Sequence, residues 1–163
     1  MINTAAYHAQ NFKLTNALGD KVNAGDASFA PIGYGSLYLL IKQFPHPKIS
    51  GGPEIEVPYV GGGTMFAQAP IRTNFQGPIT LLETEAGTAE QFLKDVLKGT
   101  GKFDARIYES GTPKRHIRSY KVVDCFINMD TSDRDWENKQ QVLMLNGTVF
   151  GHYFGDVYPG NIT

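Results

Sequence analysis

The chain has 163 residues, 41% hydrophobic and 12% aromatic, enough for one domain with a packed core and too apolar for global disorder. Its formal net charge of -1 argues against a protein that grips nucleic acid by the phosphate backbone. No run of about 18 apolar residues predicts a membrane helix, MINTAAYHAQNF lacks the basic and apolar regions of a signal peptide, and Cys125 is alone, so cytoplasmic folding without disulfides is expected.

Asn3 to Leu18 is a candidate helix, capped by Asn3 or Thr4, with Ala5, Ala6, Ala9 and Phe12 on one side. Gly19 to Gly35 is rich in Gly, Asn, Asp and Ala and reads as a loop, so 1–35 is expected to be a helix and a loosely attached arm. Ser36 to Phe44, SLYLLIKQF, is the first predicted strand, with Leu37, Leu39 and Ile41 on one face. The following PHPKISGGP is neither helix nor central strand, because proline fixes φ and removes a donor. Glu54 to Val60, EIEVPYV, alternates acidic and aliphatic residues, and Pro58 marks it as an edge strand. Gly61 to Gly63 closes an excursion, residues 45–63, far longer than the usual loop of about 4–6 residues. A projecting strand pair of this kind suits addition to another subunit; the plainer alternative is a surface hairpin with no partner.

Thr64 to Glu85 holds two strand-like runs. In the second, Phe75, Ile79 and Leu81 share one parity while Arg72, Asn74, Gln76, Thr80 and Thr84 take the other. Thr88 to Gly99, TAEQFLKDVLKG, carries the strongest helical pattern: Ala89, Phe92, Leu93, Val96 and Leu97 form an apolar stripe, Thr88 and Gln91 fit a capping box, and Gly99 falls at the left-handed C-cap position. Phe103 to Ser110 is a strand, Gly111-Thr112-Pro113 a turn, and Lys114, Arg115 and His116 a basic cluster that reads as a solvated strand end. Ile117 to Met129 places Val123, Cys125, Ile127 and Met129 on one side and Tyr120, Asp124, Phe126 and Asn128 on the other. DTSDRDWENK is a polar turn, and KQQVLMLNGTVFGHYFG the last long strand, with Leu143, Leu145, Val149 and Tyr153 on its dry face. The tail DVYPGNIT has no pattern and is expected to fray.

Chemistry is thinly represented. The 4 histidines lie in separate segments without metal-ligand spacing. Cys125 sits on an apolar parity, which suits an inert buried thiol. Glu83 and Glu85 have no nominated carboxylate across a cleft, and Gly61 to Gly63 lacks the lysine and helix of a phosphate loop. Trp136 either covers its own hairpin, the slightly favoured reading, or anchors a neighbouring subunit. No catalytic, cofactor-binding or metal-ligating residue is nominated.

RTNFQGPITLLETEAGTAEQFLKDVLKG, FDARIYE and IRSYKVVDCFINMDTSDRDWENKQQVLMLNGTVFG, in that order, resemble the tail tube protein of contractile-tailed bacteriophages. By extension they resemble the Hcp tube of type VI secretion. The resemblance spans about Ser36 to Gly155; the Gly/Pro-rich N-terminal third and the first helix depart from it. It implies a mainly β fold of two packed antiparallel sheets, barrel- or sandwich-like, with one flanking α-helix. It also implies hexameric rings stacked into a hollow conduit through which DNA passes without specific binding. Sheath, baseplate and tail terminator proteins would be partners. No enzymatic activity, cofactor or membrane insertion is implied, and the place is the virion tail, assembled in the host cytoplasm. On this reading the polar strand parity faces the lumen: Asn74, Gln76, Thr80, Asp124, Asn128, Asn146 and Thr148. Ser50, Glu54, Glu56, Pro58 and Trp136 would contact other subunits. Alternatives are a baseplate tube-initiator or a secretion tube protein of the same fold and, from another class, a monomeric β-barrel that binds a small ligand or acts as an enzyme.

Overall fold

The computed structural model describes residues 4–162. In chain order it contains α1 (Ala5–Ala17), β1 (Ala27–Pro31), a 3-10 turn (Leu37–Leu40), β2 (Ile41–Gln43), β3 (Ser50–Gly51), β4 (Glu54–Tyr59), β5 (Gly63–Gln68), β6 (Ile71–Arg72) and β7 (Asn74–Leu82). Then follow α2 (Thr88–Lys98), β8 (Phe103–Glu109), β9 (Arg118–Met129), β10 (Met144–His152) and β11 (Val157–Pro159). Asn3, one of the two predicted caps of the first helix, lies outside the described residues; the Thr4 hydroxyl accepts from the Tyr7 N–H at 3.4 Å.

The alternation of β7, β8 and β10 dictates the body. Each sends one parity inward, and antiparallel pairing in the order β1-β8-β9-β10-β7-β2, with β11 added to β9, merges those parities into one core. The sheet curls until its outer strands β1 and β2 approach through the 3-10 turn, giving a nearly closed barrel. The expected mainly β, antiparallel fold is therefore what forms, with α2 as its flanking helix and α1 within the candidate N-terminal helix. Phe29, Ile79, Leu81, Ile107, Val122, Cys125 and Val149 are fully buried, and each large one contributes about 1.5–3 kcal/mol by leaving water. One opening of the barrel is covered by α2, which turns Ala89, Phe92 and Val96 inward. There Phe92 meets Tyr34 edge-on at 4.6 Å and Phe103 at 5.4 Å. Gly151 keeps β9 and β10 close: a Cβ there would stand 2.8 Å from Cys125 Sγ.

The structure corrects several sequence expectations. The second half of the supposed Gly19–Gly35 loop is β1, paired from Ala27↔Glu109 to Pro31↔Ala105. Its one large apolar residue, Phe29, is too little to signal a strand locally but enters the core from the sheet. Ser36 to Phe44 is not a continuous strand. Leu37 N–H bonds to Tyr34 C=O and Leu39 N–H to Ser36 C=O, so Leu37–Leu40 coils, Leu37 goes in and Leu39 goes out. The last strand starts at Met144 rather than Lys139.

The caps of α2 also differ from expectation. Thr88 does not cap it; the Glu83 carboxylate, at the end of β7, accepts from the N–H groups of Thr84 at 2.9 Å, Ala89 at 3.1 Å and Glu90 at 3.0 Å. A carboxylate there satisfies orphan donors and complements the positive end of the helix. Gly99 has φ -85; the left-handed residue is Gly101, φ 75, whose N–H bonds to Val96 C=O.

A bulge breaks the period of β9. Phe126 pairs Phe150 but Val123 pairs His152, and Asp124 is the extra residue, with φ 50. Upstream of it the parity inverts, so Val122 rather than Val123 enters the core. The tail, expected to fray, forms β11 on Arg118–Tyr120.

Candidate assembly surfaces

The outward face of β7, β10 and the second half of β9 collects most of the polar parity. Asn146 stands opposite Thr80, Phe150 opposite Gln76 and His152 opposite Asn74, while Asn128 stands opposite Thr148. Six of the seven predicted polar positions are thus brought to one face. Thr80, expected to meet water, is only 7% exposed: Gln43 of β2 lies over it, and its hydroxyl donates to Asn146 Oδ1 at 3.0 Å. Asp124 is the exception. As the bulge residue it leaves the face, its N–H bonds to Asp104 Oδ1, and its carboxylate lies 3.9 Å from Lys102 Nζ. The stacked rings of Phe126 and Phe150, centroids 5.0 Å apart, interrupt the polar face. No Asp, Glu, Lys or Arg occupies an outward position on β7, β10 or 126–129.

This face is bounded by two open strand edges. Ile41–Gln43 pairs only with β7. β9 pairs with β8 only as far as Cys125, so 126–129 has β10 on one side and no strand on the other.

A second surface is the β4–β5 hairpin, which takes in the predicted edge strand and extends the excursion to Gln68. Register puts Ile55, Val57, Tyr59, Met65 and Ala67 on one face; Glu54, Glu56 and Pro58 share the other with Phe66. No residue of either strand is buried. Ser50 lies in the small β3–β6 ribbon at its base. α1 is equally bare, with Phe12 65% and Leu14 60% exposed and no buried residue.

Two further surfaces are the turns that bracket β9, one at each end of the strand. The β8–β9 turn carries Lys114, Arg115 and His116 and is clamped by the chain's own tail. Asn161 Nδ2 donates to Lys114 C=O at 2.6 Å, His116 N–H donates to Asn161 Oδ1 at 3.0 Å, and Gly160 N–H donates to Ile117 C=O at 2.8 Å. Gly111 is required there: its φ is 152 and a Cβ would stand 1.9 Å from Arg115 C=O. In the β9–β10 turn Trp136 is 85% exposed, so it does not cover its own hairpin as favoured from sequence. Its neighbours are held by local bonds, Glu137 N–H and Asn138 N–H to Asp135, which leave the indole no floor.

Beside the basic turn, Glu109 accepts from Tyr120 Oη at 2.7 Å and from Arg118 Nε. Burial alone would raise the Glu109 carboxyl, but the bonds from Tyr120 and Arg118 and the guanidinium charge outweigh it and hold the group below its usual range. Burial, then the bond to Glu109, push the Tyr120 phenol up to about 12. Burial likewise pushes the Cys125 thiol up to about 12, so it is no thiolate at neutral pH. The acid of this cluster is committed to its partners, and among the described residues no His, Cys, Asp and Glu group fit to hold a metal ion occurs. A cleft of about 520 Å³ between the 3-10 turn and α2 is lined by Tyr34, Leu37, Leu39, Leu40 and Phe92 on its apolar side and by Ser36, Thr84, Thr88, Gln91 and Asp95 on its polar side. No described helix is long and apolar enough to cross a membrane.

Neither a family model nor a curated protein sequence matches the chain. Solved structures do. A chain in the sheath/tube terminator of the PVC extracellular contractile injection system, in its extended state, aligns with TM-score 0.59 at 12% identity over 86% of this chain and 97% of its own. One in the tube-terminating cap of the anti-feeding prophage aligns at 0.55 and 12%, over 85% and 90%. One in the 6-fold symmetrised baseplate of that particle aligns at 0.55 and 10%, over 86% and 95%. The chain has the fold found in contractile injection systems. At these identities the likeness is one of fold, and it extends over nearly all of each neighbour's length. It spans more of the chain than the segments that carry the resemblance in sequence. Within that injection-system fold the loosely held parts here are α1 and the β4–β5 hairpin.

Proposed function

We propose that this chain is a non-enzymatic structural subunit that assembles with copies of itself into hexameric rings, stacked as the hollow tube of a contractile tail. The observation that carries the proposal is the pair of open edges on one curved sheet. An exposed edge invites pairing, and β2 of one subunit laid against 126–129 of the next makes successive β2–β7–β10–β9 sheets one continuous wall. The outward face becomes the lumen. Asn74, Gln76, Asn128, Asn146 and Thr148 then line the bore, Thr80 lies beneath them, and Asp124 is set aside. The β7, β10 and 126–129 positions of that face carry no formal charge, and Lys42 of β2, its Nζ 3.7 Å from Met144 Sδ, adds one cation per subunit at its edge; so sparse a charge holds a polyanion only weakly, which suits DNA in transit. Sheath, baseplate and terminator proteins are the partners, and the tail of a phage-like particle is the place. The proposal counts the chain as one domain, with an N-terminal helical arm and a projecting hairpin. The hairpin, with Glu54, Glu56 and Pro58, and the exposed Trp136 are contacts to other copies.

A second reading, a baseplate initiator of the same fold, is favoured by the baseplate neighbour. Size-exclusion chromatography with negative-stain microscopy tests the proposal: rings and tubes are expected as concentration rises, and a monomer at every concentration contradicts it. Rings that never lengthen alone select the initiator. Cysteine placed at Asn74 or Asn146 in tubes should react only with thiol reagents small enough to enter the bore. Equal labelling by a bulky reagent would mean that this face is outward.

A further inference from the structure

β9 carries opposite charges at its two ends. Lys114, Arg115 and His116 precede it; Asp130, Asp133, Asp135 and Glu137 follow it, with Arg134 and Lys139 among them. The strand is 12 residues long, which at ~3.3 Å per residue separates the two turns by at most about 40 Å and puts them at opposite ends of the barrel. Neither turn is neutralised within the subunit. Among the described residues the ion pairs are Lys94–Glu90, Lys102–Asp124 and Arg118–Glu109, and none includes Lys114, Arg115 or an acid of the β9–β10 turn.

Charges kept only for solubility need no fixed geometry, yet the basic turn has one. Asn161 and Gly160 bind its backbone from outside, the Thr112–Arg115 bridge closes it from inside, and Ser28 Oγ donates to Gly111 C=O at 2.9 Å. A cationic surface held in one shape has already lost the freedom that a binding partner would otherwise have to remove. The acidic turn supplies the matching chemistry. Its carboxylates flank Trp136 in sequence, and the exposed indole is the best of the side-chain faces for a guanidinium or ammonium.

We infer that the acidic turn of one copy docks on the basic turn of a second copy displaced along the barrel axis, Arg115 or Lys114 covering the Trp136 indole while Asp133 and Asp135 pair with the cations. The inference rests on the ring reading above and adds to it the contact that stacks one ring on the next. Such a contact is head-to-tail: it propagates rather than closes, and like ends repel, so rings of opposite polarity are excluded.

Two charge reversals in the full-length chain test this. Lys114→Glu/Arg115→Glu and Asp133→Lys/Asp135→Lys are each expected to leave rings intact but shorten tubes at least tenfold in negative stain, with unchanged circular dichroism. Rings of the two variants mixed together should lengthen again, because each then presents the charge the other needs. As a control independent of any substitution, unaltered tubes should shed rings near 1 M salt, where the Debye length is about 3 Å. Tubes of ordinary length from either variant overturn the inference while leaving the ring proposal standing, and so does a mixture that fails to lengthen. Absence of rings from the unaltered chain overturns both.

Discussion

β7 with β10 and β4 with β5 are both antiparallel pairs with clean alternation, yet they have opposite fates. In the first, Ile79, Leu81 and Val149 are 0% exposed and the register is fixed by the side that must stay dry. In the second, Ile55, Val57, Tyr59 and Met65 form an equally apolar face that covers nothing. An isolated two-stranded hairpin is marginal in water, so its local pairing alone accounts poorly for six matched residue pairs from Glu54↔Gln68 to Tyr59↔Gly63. The difference teaches that alternation specifies a strand with one face to hide, but not the molecule that hides it. For β7–β10 that molecule is the subunit itself; for the hairpin, on the proposal above, it is another copy.

The comparison breaks most visibly in the core. Leu81→Ala should cost about 2–5 kcal/mol of unfolding free energy, and Phe29→Ala about 3–5 kcal/mol, in denaturant titrations. If either cost less than about 1 kcal/mol, the barrel interior would not be the close-packed region described. Next in size is the cap of α2: Glu83→Ala strips the acceptor from three N–H groups and should cost about 1–2 kcal/mol. Thr88→Ala, at the position favoured from sequence, should cost clearly less.

Alkali probes the same core more gently. Cys125 and Tyr120 ordinarily titrate at 9.0 and 10.0, and both are pushed up to about 12 in the fold. Folded molecules therefore hold protons that unfolded ones have lost, and stability should fall as pH rises from 9 towards 12. The Cys125→Ser variant should flatten the lower part of that decline; an unchanged pH profile would mean that the thiol is not buried as described. Glu109 acts at the other extreme. Its carboxyl is held low, so its contribution is present above the ordinary carboxylate range and is lost as pH falls through its lowered value. The smallest effect on the subunit belongs to the hairpin: Val57→Ala and Phe66→Ala should move its stability by no more than about 0.5 kcal/mol yet reduce assembly. A large loss of subunit stability would mean that the hairpin is already partnered within the chain.

The regions legible in the sequence were those whose partner lies in the same chain and whose period is unbroken. β7, β8 and β10 showed their inward residues plainly, and α2 did so for Ala89, Phe92 and Val96 but not for Leu97, which the apolar stripe included and which is 73% exposed. β1 was not legible because Phe29 is its only large apolar side chain, and its strand character comes from pairing with β8. The bulge at Asp124 was invisible to alternation, which assumes that no residue is extra. The N-terminal cap of α2 was misassigned because Glu83 acts from outside the helix. The same limit applies to the assembly surfaces. Polar parity collected Asn74, Gln76, Asn128, Asn146 and Thr148, but no local signal marks an open edge, since an edge is a property of sheet order. The clamp of Asn161 on Lys114 spans 47 residues and has no local signature either.

Amide hydrogen exchange at the two open edges tests the central claim most directly. Compared between dilute subunits and the concentrated protein, 41–43 and 126–129 should become strongly protected together on assembly, while the already paired amides of β10 change little. If both edges exchange as fast in the concentrated protein as in dilute solution, the subunits do not join through β2 and β9, and the continuous wall proposed here does not exist.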